Sequence, residues 1–258
     1  MLKFKGTISV VLVCLALLPF ANEAFTQGQK IRVLFIGNSL TFVNDLPHMV
    51  ADLARSRHVD MECDMYAPGG HTFFEHAADP LLRAKIDQGT WDFVVLQEQS
   101  QIPALDQTYV QQYIYPYAQK LSESVRKANP QARVVFYMTM AKKNGDRQTI
   151  SGRSEVLTYD AMQRRINASY TVMAQHNSAL LAPVGVAWAN VRARNKSLEL
   201  YADEKHPNLL GTYLAACVIT DVILKDNPGE LSNPPQIDRG TAIYLQRMAG
   251  EAVRQSRD

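Results

Sequence analysis

The sequence predicts an α/β fold, with one parallel sheet covered by helices on both faces. Three observations carry this expectation. Short apolar runs alternate with longer segments of helical periodicity from Ile31 onward. That alternation is the pattern of βαβ units, whose crossovers are right-handed and so put helices on either side of the sheet. No internal repeat or low-complexity linker interrupts it. Counting the apolar runs gives about five parallel strands in a flavodoxin-like three-layer sandwich.

The elements follow in order. Ile31 to Ile36 is the first strand. Leu46 to Arg57 carries Leu46, Met49, Val50 and Leu53 at helical spacing. Val59 to Tyr66 is the second strand. Pro68-Gly69-Gly70 is a turn, and Thr72 caps the next helix with Glu75 at the capping-box position. Trp91 to Leu96 is the third strand, and its Val94-Val95-Leu96 run reads as buried on both faces. Gln107 to Asn129 is a long amphipathic helix with a kink or break at Pro116. Ala132 to Met138 is the fourth strand. Ala141 to Gly152 is polar, follows a strand's C-terminal end and reads as a mobile loop. Glu155 to Asn177 is a helix and Ala179 to Pro183 a short fifth strand. Asn208 to Lys225 and Arg239 to Arg254 are the last two helices.

Composition bounds the function. The 258 residues are 47% hydrophobic and 20% charged, which fits a globular enzyme. A net charge of +2 without a basic block argues against nucleic acid as a partner. Lys3 and Lys5 precede an apolar run from Ile8 to Phe20, and Ala21 and Ala24 follow. This is the pattern of a secretory signal peptide over 1–24, with Cys14 inside its apolar stretch. It predicts one domain over 25–258, exported to the periplasm or beyond the cell, with no stable membrane insertion after leader cleavage. Cys63 and Cys217 then remain, one in a strand and one in a helix. Two buried thiols are the default, and a single bridge stays open. No zinc-ligand spacing occurs, so neither metal nor cofactor is expected. The sequence carries no signal for oligomeric state.

Chemistry-bearing residues lie at both ends of the predicted domain. The first strand runs into Gly37-Asn38-Ser39-Leu40-Thr41. A serine at the C-terminal end of a buried strand faces the crevice where open α/β sheets bind ligands. Far downstream, Asp203-Glu204-Lys205-His206-Pro207 sets an acid three residues before an imidazole. Those groups can activate a serine hydroxyl. Each has a plainer reading, Ser39 as a helix cap, Asp203 as a turn former and His206 as a surface residue. His48, His58, His71, His76 and His176 have no partner at a suggestive spacing. Met140 and Trp188 follow the last two strands, where they would line a pocket or pack in the core.

These blocks resemble those of the SGNH (GDSL-like) hydrolases. The resemblance implies Ser39 as the nucleophile, His206 as general base and acid, and Asp203 as the residue that orients it. Gly70 in Gly69-Gly70-His71-Thr72 resembles the second block, whose glycine lends a backbone N–H to the oxyanion hole beside that of Ser39. The third block departs from the superfamily's Gly-x-Asn-Asp. Here Gln97-Glu98-Gln99-Ser100 follows Trp91 to Leu96, a string similar to that of a bacterial branch of the superfamily. Aligning strand ends puts Gln99 at the oxyanion-hole position, with Gln97 as the alternative. The implied activity is a serine ester hydrolase, removing small acyl groups such as acetyl from carbohydrate or similar small-molecule esters. Two alternatives remain at this level. One is a non-catalytic glycan-binding protein that keeps the fold. The other is a metal-dependent phosphoesterase built on Asp203, Glu204 and His206.

Overall fold

The computed structural model describes residues 30–150, 153–225 and 231–256. The signal peptide expected over 1–24 lies outside them. Seven strands are described: β1 (Ile31–Ile36), β2 (Met61–Tyr66), β3 (Phe93–Leu96), β4 (Arg133–Tyr137), β5 (Asp146–Ile150), β6 (Arg153–Leu157) and β7 (Leu180–Ala182). The helices are α1 (Ser39–Phe42), α2 (Leu46–Ser56), α3 (Phe73–Ala78), α4 (Pro80–Ile86), α5 (Gln107–Tyr113), α6 (Tyr115–Ala128), α7 (Tyr159–His176), α8 (Val184–Arg194), α9 (Leu209–Leu224) and α10 (Arg239–Gln255).

Five strands form one all-parallel sheet in the order β2-β1-β3-β4-β7. This is the flavodoxin-like architecture expected from the sequence. Side chains alternate across a strand, so each strand feeds two cores. Val33, Phe35, Val95, Val135 and Tyr137 point to a core shared with α2, α8, α9 and α10. Leu34, Ile36, Val94, Leu96, Val134 and Phe136 point to a second, shared with α3 to α7. A strand buried on both sides must be apolar throughout, which is why β3 reads Phe-Val-Val-Leu. The apolar run of α9 has the same cause: nearly its whole circumference is buried among α2, α8 and α10. Among the described residues no helix is long and apolar enough to cross a membrane.

The connections from β1 lead to β2 on one side, and those from β3 lead away on the other. The direction in which strands are added therefore reverses between β1 and β3, and a crevice opens there at the strands' C-terminal ends. The loops after β1, β2 and β3 converge on it.

Several elements differ from the sequence reading. The helix expected from Gln107 to Asn129 is two, broken at Ile114, with Pro116 in the first turn of α6. A proline is tolerated there because that N–H has no helical acceptor. The stretch expected as a mobile loop contributes β5 to an antiparallel hairpin with β6. The following helix therefore starts at Tyr159, capped by the Thr158 side chain, rather than at Glu155. Helix α8 was not foreseen. Trp188 lies within it, fully buried, and Met140 is buried too, so both pack in the core rather than line a pocket. Cys63 and Cys217 are free thiols.

Candidate active site

Ser39 is the first residue of α1, directly beyond β1. The turn that delivers it is tight. A Cβ on Gly37 would lie 2.3 Å from Thr41 Oγ1 and 2.4 Å from Gln97 Oε1, so only glycine fits. Asn38 is buried and ties three segments together. Its N–H donates to Gln97 Oε1 at 2.9 Å, and its Nδ2 donates to the His71 carbonyl at 2.9 Å. Its Oδ1 caps α1 at the Leu40 N–H and accepts from Gln97 Nε2 at 3.1 Å. The Ser39 turn is thus fixed against both the Gly70 loop and the end of β3.

His206 reaches Ser39 from the loop between α8 and α9. Its Nε2 lies 3.0 Å from Ser39 Oγ, and its Nδ1 lies 2.8 Å from Asp203 Oδ2. Asp203 Oδ1 accepts the N–H groups of Lys205 at 2.8 Å and His206 at 2.7 Å. The His206 N–H and ring, then the Lys205 N–H, hold the Asp203 carboxyl well below the usual carboxylate range. An Asp203 that only accepts fixes the proton on His206 Nδ1, leaving the Nε2 lone pair for the serine hydroxyl. The loop is closed by the Ala202 N–H donating to the His206 carbonyl at 2.9 Å and by a bridge between Tyr201 and Pro207. Asn208 caps α9 at the Gly211 N–H, anchoring the C-terminal side.

Glu204 turns away from this pair. Its carboxylate accepts from Asn144 Nδ2, and its carbonyl accepts the Lys143 N–H at 2.8 Å. Asp203, Glu204 and His206 therefore do not converge as a ligand set.

Gly70 lies in the loop after β2 with φ +76°, a conformation that favours glycine. Among the described residues the N–H groups of Ser39 and Gly70 have no acceptor. Gln97 is fully buried and spends both amide protons internally, on Asn38 Oδ1 and on the Glu98 carbonyl. It has no hydrogen left for an oxyanion. Gln99 is half-buried, and its Oε1 accepts the Gln101 N–H, which leaves its amide protons uncommitted among the described residues.

Solved structures resemble this chain over most of its length. A DUF4886 family protein from Bacteroides uniformis superposes with a TM-score of 0.70 at 18% identity, over 87% of this chain and 95% of that one. A protein described as an SGNH hydrolase, from Slackia heliotrinireducens, is 30% identical with a TM-score of 0.60, over 76% of this chain and all of that one. The chain belongs to the SGNH hydrolase family. An acetyl xylan esterase variant from Geobacillus stearothermophilus shares the fold at 16% identity and a TM-score of 0.52, over 79% of this chain and 97% of that one. No family model and no curated protein matches the sequence.

Asn38, His76 and Glu98 had no catalytic role in the sequence reading, and Gln97 stood there as the alternative oxyanion donor. Asn38, His76, Gln97 and Glu98 are all buried around Ser39. His76 is on α3, and its Nε2 donates to the Gly37 carbonyl at 2.9 Å. Burial pushes its imidazole down to about 4, so it is neutral at pH 7. Gln97 and Glu98 are readable as polar side chains at a strand end, where buried backbone groups need partners, whereas His76 on α3 carries no such signal.

Proposed function

We propose that this SGNH hydrolase is an exported serine esterase that removes small acyl groups, such as acetyl, from carbohydrate or similar esters. The observation that carries the reading is the continuous relay from Asp203 through His206 to Ser39 Oγ, with contacts of 2.8 and 3.0 Å. His206 takes the Ser39 proton as the oxygen attacks the ester carbonyl, then returns it to the departing alcohol. Asp203 steadies the imidazolium formed between those steps. Water repeats the sequence on the acyl-enzyme and regenerates Ser39. The negative charge on the tetrahedral oxygen falls to the Ser39 and Gly70 N–H groups and the Gln99 amide. One such donor is worth about 3 kcal/mol of transition-state stabilisation. Gln99 is favoured over Gln97 for this role because its amide protons are unspent.

The fold shared with an acetyl xylan esterase supports a carbohydrate acetyl substrate. The apolar run ahead of Ala24 supports export. The string from Trp91 to Ser100 supports a bacterial branch with a glutamine-bearing third block.

Two measurements test the proposal. Purified protein should cleave p-nitrophenyl acetate, and Ser39→Ala should bring the rate to background. A fluorophosphonate probe should label the wild type at Ser39. An unlabelled wild type that binds acetylated oligosaccharides without turnover would instead mark a glycan-binding protein. Activity lost to chelators would point to the metal-dependent alternative.

A further inference from the structure

Glu98 is the most completely buried carboxyl group in the described structure, and the relay does not use it. It follows Gln97 at the end of β3, so successive side chains there face opposite sides. Gln97 takes the side of the Ser39 turn. Glu98 takes the side of the Gly70 loop. Its carboxylate accepts the N–H of Phe73 at 3.0 and 3.2 Å and the N–H of Gln99 at 2.6 Å. Phe73 opens α3 just after Gly70-His71-Thr72. A single side chain therefore joins the loop bearing Gly70 to the segment bearing Gln99. On its far side, the Glu98 N–H donates to the Tyr170 hydroxyl of α7 at 3.1 Å.

Among the described residues no cation compensates this carboxyl. The neighbours acting on it are the two N–H donors and the like charge of Glu75 on α3, and burial pushes it up to about 8. A group kept at such a desolvation cost calls for a reason that packing does not supply. An acceptor shared by two backbone donors fixes their separation, and here those donors border both outlying arms of the oxyanion site.

We propose that Glu98 is a positioning residue that sets the distance between the Gly70 N–H and the Gln99 amide, and so shapes the oxyanion hole. This inference rests on the esterase reading above. It acts through Gly70 and Gln99 and not through the Ser39–His206 pair.

The test is Glu98→Leu, which keeps the bulk and removes both acceptor oxygens. The N–H groups of Phe73 and Gln99 then lose their shared acceptor. With p-nitrophenyl acetate, kcat should fall about 10- to 100-fold, as misplacing a reacting group by about an ångström does. KM should stay within about threefold, and the acid-limb pKa of kcat/KM should not move, because His206 and Asp203 are untouched. A variant with kcat within about twofold of wild type, or with only its KM or melting temperature altered, overturns the inference. Ser39→Ala run alongside separates the two failures. Activity surviving in Ser39→Ala sinks the nucleophile assignment, whereas an inactive Ser39→Ala beside an unimpaired Glu98→Leu sinks the clamp alone. If Glu98→Leu does not fold, amide exchange on the wild type decides. The Phe73 and Gln99 amides should be protected to the level of β3, and exchange at the rate of exposed loop amides overturns the proposal.

Discussion

His76 shows what the surroundings of Ser39 cost. Its Nε2 hydrogen is committed to the Gly37 carbonyl, and its Nδ1 is buried without a partner among the described residues. Protonation would charge a side chain that is only 2% exposed. Its folded pKa of about 4 lies below the 6.5 of an ordinary histidine. Between those values the unfolded chain binds a proton that the folded one refuses, so stability falls as pH drops through that window and is fully present above 6.5. We expect His76→Gln, whose amide can still donate to Gly37, to lose this dependence. The wild type's advantage over the variant should shrink by on the order of 3 kcal/mol between pH 7 and pH 4. Urea unfolding at the two pH values measures it, and a constant difference would refute the assignment. At this scale the sequence was readable where a residue type is chemically distinctive. Ser39 after a strand and Asp203 three before His206 could be singled out from spacing alone. Asn38, His76 and Glu98 could not, because their roles are hydrogen bonds to residues 25 to 59 positions away.

Loop 199–208 concentrates the acid and base on one short element. Lys143 pairs with Glu199 at 2.7 Å, Asn144 holds Glu204, and the Tyr201 hydroxyl donates to the Ala141 carbonyl at 2.6 Å. The segment leading into the β5–β6 hairpin therefore braces this loop. Two adjacent acidic residues have separate duties here, which mutation can tell apart. Asp203→Asn should lower kcat by about 10³- to 10⁴-fold, since the amide loses the acceptor that sets the His206 tautomer. Glu204→Gln should stay within about twofold, its partners lying on the hairpin side. Steady-state kinetics on an aryl acetate compares them, and equal losses would contradict the division. The hairpin was not legible because Asp146 to Gln148 offers no alternating apolar face to mark a strand. Helix α8 does carry Val184, Ala187, Trp188 and Val191 at helical spacing. Its partly buried Val186 packs on both cores, which blurs the amphipathic stripe that would have announced it.

The whole molecule divides its labour between two cores and one rim. The five parallel strands were legible because strands buried on both faces leave continuous apolar runs. The core on the α9 side extends from Leu40 of α1 and Tyr201 of the His206 loop to Leu245 of α10. Leu245→Ala in α10 removes a fully buried side chain and should cost about 2 to 5 kcal/mol in urea unfolding. Its kcat, assayed well below the melting temperature, should match wild type, and a proportionate loss of kcat would show that the rim depends on that core. The Ser39–His206 contact spans 167 positions of sequence. Such a contact forms only after the first strand and the segment before α9 have both been placed, which makes it a late event in folding. A nascent chain consequently carries a serine without its imidazole, and the two meet only once the polymer has closed on itself.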